Sequence, residues 1–134
     1  MHLWLRWKKL TEVIRAAVIA DVAEAGDLSE PELTVLIHLR RAGGSIRQNA
    51  LTASTGWDRT RLSHLLTRME ARGYLSRSRL SNGVELAIEK GGTDVMARTQ
   101  PLLAAAVQRH LTGRLTPAQL EALDDILKTL NESE

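Results

Sequence analysis

The chain has no cysteine, no phenylalanine and a single tyrosine among its 134 residues. Without cysteine it can form no disulfide and no thiolate metal ligand, and it cannot sense oxidants through a thiol. Its core must be aliphatic. No apolar run approaches the ~20 residues that a membrane-spanning helix needs. The first segment, MHLWLRWKK, places its charges after its apolar residues, which is the wrong order for a signal peptide. We therefore expect a cytoplasmic protein with no membrane partner.

Positive charge is concentrated in the middle of the chain. The net charge is only +2, but residues 40–80 carry nine Lys/Arg against two Asp/Glu, and both flanking segments are mildly acidic. Such a distribution is expected where one face of a protein meets a polyanion. Chance variation explains it less well, because the basic segment coincides with an amphipathic helix and a hairpin.

The most informative stretch is residues 55–84, which opens with a helix that we predict from Asp58 to Arg72. Apolar side chains recur there at i, i+3, i+4 and i+7 and form one narrow stripe: Leu62, Leu65, Leu66 and Met69. The opposite side carries hydroxyl, imidazole and guanidinium groups, which can reach base edges and phosphates. The predicted base-reading residues are Arg59, Thr60, Ser63 and His64.

The segments before this helix predict a helix-turn-helix. Ser29 and Glu32 have capping-box spacing and start a helix over residues 30–42. Ser45 is expected to cap a third, short helix over residues 46–54, with Ala50 and Leu51 turned inward. Thr55-Gly56-Trp57 then forms a short break before Asp58 caps the fourth helix.

A β-hairpin follows the fourth helix at once. Arg77 and Arg79 alternate with smaller residues, and Asn82-Gly83 is a strong two-residue turn signal. A helix-turn-helix followed by a basic hairpin is a winged helix. The predicted phosphate contacts are Arg61, Arg68, Arg77 and Arg79, joined by Arg47 and Gln48 at the start of the third helix.

The two ends of the chain predict helices that need a partner. The first is expected over residues 2–25. Gly91-Gly92 should close the hairpin, after which Thr93 or Asp94 caps a helix that Pro101 kinks or splits. Thr116 with Gln119 should cap the last helix, whose leucines form a coiled-coil-like seam. The positions expected to contact a partner subunit are Leu3, Trp4, Trp7, Leu10, Leu120, Leu123, Leu127 and Leu130.

The order of these elements and four motifs resemble the MarR family of bacterial transcriptional regulators. The matching segments are LSEPELTVL at 28–36, QNALT at 48–52, WDRTRLSH at 57–64 and RMEARGYLSR at 68–77. The resemblance covers essentially the whole chain and implies a single MarR-like domain over residues 1–134. Its fold would be mainly α with a small β-hairpin wing. Dimerisation helices at 1–26 and 93–134 would flank a winged helix-turn-helix lobe at 29–92.

The chain departs from the family at the wing. Members usually carry a longer loop whose arginine enters the minor groove. Here the hairpin tip is Ser81-Asn82-Gly83, and no Arg or Lys lies between Arg79 and Lys90. Whether this short wing contacts the minor groove stays open at this point.

The resemblance implies a sequence-specific DNA-binding regulator, more often a repressor than an activator. It implies a homodimer on a pseudo-palindromic operator, with half-sites one helical turn apart, ~34–36 Å. It also implies release by a small effector, often phenolic or otherwise aromatic, bound between the dimerisation helices and the DNA-binding lobe. No cofactor is expected.

Two other classes of function are weighed against this one. An enzyme is disfavoured, because Ser63 and His64 are neighbours on a helix and point about 100° apart, so they cannot act as nucleophile and base. The four histidines lack metal-ligand spacing, although His38 and His110 could still meet beside a carboxylate. The remaining alternative is a winged-helix protein-interaction module without DNA binding, which should expose apolar side chains on its recognition face.

Overall fold

Six α-helices and three short β-strands make up the computed structural model over the residues it describes, 1–24 and 26–132. They are α1 (His2–Ala23), α2 (Glu30–Arg41), β1 (Ser45–Arg47), α3 (Gln48–Thr55), α4 (Arg59–Ala71), β2 (Leu75–Leu80), β3 (Gly83–Ile88), α5 (Lys90–His110) and α6 (Pro117–Glu132), with a 3₁₀ turn at Thr112–Arg114. The predicted class, mainly α with a small β-hairpin wing, is confirmed.

The chain divides into two compact units, one of residues 1–24 with 101–134 and one of residues 25–100. The predicted end of the first helix, Ala25, lies outside the described residues, as do residues 133–134 of the predicted C-terminal segment. In the part that is described, α1 ends at Ala23 with Glu24 as its cap residue.

The central unit is built around an antiparallel sheet with the strand order β1-β3-β2. One of its two edge strands, β1, corrects the prediction that Ser45 caps a helix starting at Ile46. Ile46 pairs with Leu86 across the sheet, and Gly44 accepts a hydrogen bond from the Ile88 N–H at 2.8 Å. Residues 45–47 therefore extend to complete the sheet, and α3 starts only at Gln48, with no side-chain cap from Arg47.

Aliphatic side chains fill the core of the central unit, as the absence of phenylalanine requires. Leu36 and Leu39 of α2, Leu51 of α3 and Leu86 of β3 are fully buried. Ala50, which was predicted to face inward with Leu51, is exposed instead. The predicted capping box is confirmed, since the Ser29 N–H donates to Glu32 Oε1 at 2.9 Å while Ser29 Oγ accepts from the Glu32 N–H.

The start of α5 differs from the prediction. Gly91 and Gly92 do not close the hairpin but lie in the first turn of a helix that begins at Lys90, ahead of Thr93 and Asp94. A Cβ on Gly91 would stand 2.5 Å from the Gly73 carbonyl oxygen, and one on Gly92 would collide with the Tyr74 carbonyl oxygen. These glycines therefore allow α5 to start directly against the chain that leaves α4. Pro101 does not split the helix.

The terminal unit carries an apolar groove of about 540 Å³. It is lined mainly by α1 and α6: Trp7, Leu10, Ile14, Leu123, Ile126 and Leu127. Trp4 and Trp7 are 59% and 44% exposed, and Leu127 and Leu130 are exposed as well. The predicted cap of α6 is confirmed, because the Thr116 N–H donates to Gln119 Oε1 and Thr116 Oγ1 accepts from the Gln119 N–H.

Candidate nucleic-acid interface

Helix α4 is oriented by its apolar stripe. Leu62, Leu66 and Met69 are at most 1% exposed, and Leu65 is 7% exposed. Asp58 caps the helix as predicted, its Oδ2 accepting from the Arg61 N–H at 3.0 Å. Burial of the stripe turns the remaining side of the helix outward.

The outward side of α4 carries the residues predicted to contact DNA. Arg59, Thr60, Arg61, His64 and Arg68 are exposed, and Ser63 is half-buried. Within residues 1–24 and 26–132, no carboxylate forms an ion pair with Arg59, Arg61 or Arg68. Their charges are therefore not neutralised by the protein and are available to phosphates.

A groove of about 470 Å³ separates α4 from the hairpin wing formed by β2 and β3. Four of the predicted contact residues line it together: Gln48, Ser63, Arg77 and Arg79. The structure thus brings together residues of α3, α4 and β2. The sequence identified these residues by their chemical type but could not show that they line one groove.

Arg77 has a role that the sequence did not predict. Its Nη2 lies 2.9 Å from Thr67 Oγ1 and 3.1 Å from Glu70 Oε1, and its backbone N–H donates to Glu70 Oε2 at 3.1 Å. The backbone N–H of Arg77, and then its side chain, hold the pKa of Glu70 below its ordinary value. Arg77 therefore joins the wing to α4, which leaves Arg79 as the unpaired cation of β2 among the described residues.

The tip of the wing is one residue earlier than predicted. Leu80 pairs with Gly83, so the two-residue turn is Ser81-Asn82 and not Asn82-Gly83. Gly83 has φ +140°, whereas no described residue other than glycine has a positive φ. A type I′ turn would have required a positive φ at Asn82, so the glycine's conformational freedom is used at the strand end instead.

An arginine from outside the hairpin contacts this tip. Arg47 of β1 donates from Nη1 to Asn82 Oδ1 at 2.8 Å. Sequence reasoning placed Arg47 only at the start of α3. The contact spans 35 positions, and only the pairing of β1 with β3 brings the two residues together.

The C-terminal end of α4 is fixed by Arg72, which sequence reasoning also missed. Arg72 Nη1 lies 2.9 Å from Glu32 Oε2, and its guanidinium carbon lies 4.6 Å from the centre of the Tyr74 ring. Glu32 is 8% exposed and serves the capping box of α2 with its other oxygen. Helix α4 is thereby tied to the first turn of α2.

A second groove, with a larger volume of about 910 Å³, also borders α4. Ser29 and Pro31 line it opposite Arg61, His64 and Arg68. Trp57 also lines this groove and is half-buried, in keeping with its expected place in the turn.

The histidines considered for a metal site have other partners. His38 Nδ1 lies 2.8 Å from the Thr34 carbonyl oxygen of its own helix, and His110 Nε2 lies 2.9 Å from Asp21 Oδ2. Over the described residues, no group of three or more His, Asp or Glu side chains is arranged to hold a metal ion. The helices of the same residues include none with the length and apolarity to cross a membrane.

Comparison with known proteins gives one partial sequence match and several structural ones. Residues 28–87 match a family model described as a domain of unknown function (DUF7343). No curated protein matches the sequence significantly. AbsC, a MarR family transcriptional regulator from Streptomyces coelicolor, is 25% identical with a TM-score of 0.87, over 98% of this chain and 90% of that one.

Two further neighbours share the fold at lower identity. Sco3205, a MarR family regulator from the same organism solved in complex with DNA, is 22% identical with a TM-score of 0.86, over 98% and 88% of the two chains. The organohalide-sensing regulator RdhR-CbdbA1625, in its 2,4-dichlorophenol-bound form, is 16% identical with a TM-score of 0.79, over 98% and 78%.

These neighbours confirm the resemblance that the motifs indicated. The chain has the winged-helix fold of these MarR family regulators. The neighbours named here are all transcriptional regulators, the class of protein that the motifs indicated.

Proposed function

We propose that this protein is a sequence-specific DNA-binding transcriptional regulator that places α4 in the major groove. The observation that carries the proposal is the outward side of α4, where Arg59, Arg61 and Arg68 are exposed without a carboxylate partner among the described residues. Thr60 and His64 between them supply groups that can hydrogen-bond base edges. The complex of Sco3205 with DNA supports the same use of the fold. A protein-interaction module would expose apolar residues on this side instead.

The protein is proposed to act as a homodimer through its terminal unit. Trp4, Trp7, Leu127 and Leu130 leave large apolar surfaces exposed on α1 and α6, beside a groove lined mainly by apolar side chains. Patches of this kind mark interaction sites. A two-fold dimer would carry two α4 helices to a pseudo-palindromic operator.

Repression and release by a small effector complete the proposal. RdhR-CbdbA1625 was solved with 2,4-dichlorophenol, which supports an aromatic or phenolic ligand here. Such a ligand binds the conformation that does not bind DNA more tightly than the one that does. The ratio of these two affinities is the largest factor by which the ligand can lower DNA affinity. The absence of cysteine means that oxidation of a thiol cannot be the signal.

Selection from a random-sequence duplex library tests this function. The full-length chain should enrich a two-fold symmetric sequence. Arg59→Ala and His64→Ala should reduce the preference for that sequence by about 1–3 kcal/mol each. Arg114→Ala, a change at an exposed arginine of the terminal unit, is the matched control and should leave it intact. A library that yields no enriched sequence would overturn the proposal.

A further inference from the structure

The wing obtains a positive charge at its tip from a neighbouring strand. The turn itself, Ser81-Asn82, is uncharged. Arg47 stands opposite Glu85 in the pairing of β1 with β3, and its side chain extends past that position to Asn82 Oδ1, 2.8 Å away. The same Nη1 atom lies 3.9 Å from the place of a Cβ on Gly83. The guanidinium therefore lies against the turn, although it belongs to neither strand of the hairpin.

This contact determines which way the Asn82 amide faces. A guanidinium has only donors, so the amide oxygen must be the atom that faces Arg47. The amide NH₂ is then directed away from Arg47, on an exposed side chain. No described residue accepts a hydrogen bond from it. The tip consequently presents hydrogen-bond donors: the Asn82 NH₂ group and the remaining N–H groups of Arg47.

The two faces of the wing both carry a cation. Arg79 pairs with Val84, and both line the groove beside α4. Arg47 pairs with Glu85, the next residue of β3, and successive residues of a strand point to opposite faces. Arg79 and Arg47 therefore flank the tip from opposite sides. A hairpin inserted between the two phosphate strands of a minor groove would bring one arginine to each strand.

The donors at the tip favour one kind of base pair. In the minor groove an A·T pair shows only acceptors, whereas a G·C pair adds the guanine amino group, which is a donor. On the basis of the proposed function, we propose that the Arg47–Asn82 pair determines specificity at the wing. It makes the wing select A·T pairs in the minor groove beside each half-site. Asn82 contacts the base edges, and Arg47 orients its amide and adds charge at the groove wall.

Inosine substitution tests the proposal at the level of the DNA. The duplex enriched by the full-length chain is scanned by changing each A·T pair outside the half-sites to G·C and then to I·C. An I·C pair keeps the major-groove edge of G·C but lacks the minor-groove amino group. At the pairs under the wing, G·C should weaken binding by about tenfold and I·C should restore it. Loss with G·C that I·C does not restore, or no loss at any flanking pair, would overturn the proposal.

Three variants assign the effect to the two residues. Asn82→Asp keeps an acceptor for Arg47 but removes the NH₂ donors, so it should abolish the difference between A·T and G·C flanks. Arg47→Ala frees the amide and should reduce that difference, while Ser81→Ala, the matched control in the same turn, should keep it. Discrimination that persists in Asn82→Asp would also contradict the proposal.

Failure of this inference is distinguishable from failure of the proposed function. If the chain enriches a half-site sequence and Arg59→Ala weakens it, the function stands whatever the flanks show. If no duplex is enriched, the proposed function itself fails, and this inference fails with it. An unchanged unfolding temperature in the three variants shows that their effects arise from DNA contacts.

Discussion

Arg77 Nη2 lies 3.1 Å from Glu70 Oε1, and this ion pair joins the wing to α4 across only seven positions of the sequence. The Glu70 carboxylate also accepts from the backbone N–H of Arg77. One acidic side chain of α4 thus binds both the backbone and the side chain of Arg77 in β2.

The Glu70–Arg77 pair should make stability depend on pH in the acid range. The pKa of Glu70 is lowered in the folded protein, first by the backbone N–H and then by the side chain of Arg77. A lowered pKa stabilises the fold above the unfolded-state pKa, and this contribution is lost as the pH falls through the folded-state pKa. Glu70→Gln should therefore lower the unfolding temperature at neutral pH, and the difference should shrink well below pH 4.5. A difference that is constant across the pH range would contradict the assignment.

Arg79 and Arg77 should differ in the salt dependence of DNA binding, although both were predicted from the sequence as phosphate contacts. Arg79 has no carboxylate partner among the described residues, whereas Arg77 is paired with Glu70. Arg79→Ala removes one phosphate contact from each subunit of the proposed dimer, so it should reduce the steepness of log affinity against log salt by about 2. Arg77→Ala should change that slope less and lower the unfolding temperature more. Equal effects of the two changes on the slope would show that the pair opens on DNA.

Replacing Gly92 by alanine should destabilise the protein, although this replacement usually stabilises a helix. Alanine is favoured over glycine in helices, by up to about 1 kcal/mol in the interior and by less in a first turn such as that of Gly92. At Gly92, however, a Cβ would collide with the Tyr74 carbonyl oxygen, and relief of such crowding costs about 1–3 kcal/mol. Urea unfolding should show that Gly92→Ala destabilises the protein. Ala97→Gly at an exposed position of α5 measures the propensity alone. A stabilised Gly92→Ala variant would disprove the close contact.

Leu127 should be needed for self-association. It lines the apolar groove and is 46% exposed in the single chain. Leu127→Asp would place a charge in a contact formed by two copies, so light scattering should show a monomer at concentrations where the unchanged chain is a dimer. Ala118→Asp, on a side of α6 lined by Glu121 and Asp124, should leave the dimer intact. An unchanged chain that is itself monomeric would contradict the proposed assembly.

The sequence predicted the features that depend on local spacing. The apolar stripe of α4, the Ser29–Glu32 capping box and the Thr116 cap all depend on residues at most seven positions apart, and the structure confirms each of them. The strand β1 was missed because three residues give no alternation to detect. Its formation depends on Leu86, 40 positions from its partner Ile46.

The same distinction applies to the candidate site. The helical spacing of the apolar residues identified the exposed side of α4, because burial of one stripe determines which side chains the other side presents. The partners of Arg47, Arg72 and Arg77 are set by the sheet and by the packing of α2 against α4. No periodicity in the sequence encodes those contacts. The early start of α5 was not predicted either, because a pair of glycines usually indicates the end of a helix or strand. Only the structure shows that the carbonyl groups of Gly73 and Tyr74 lie close to these two glycines.

The salt dependence of binding by the full-length chain to its selected duplex tests the central claim most directly. If α4 and the wing contact phosphates of a two-fold site as proposed, affinity should fall by about 10³–10⁵-fold between roughly 50 and 200 mM salt while the preference over random duplex persists. Equal affinity for selected and random duplexes, or no binding at the lower salt concentration, would contradict it.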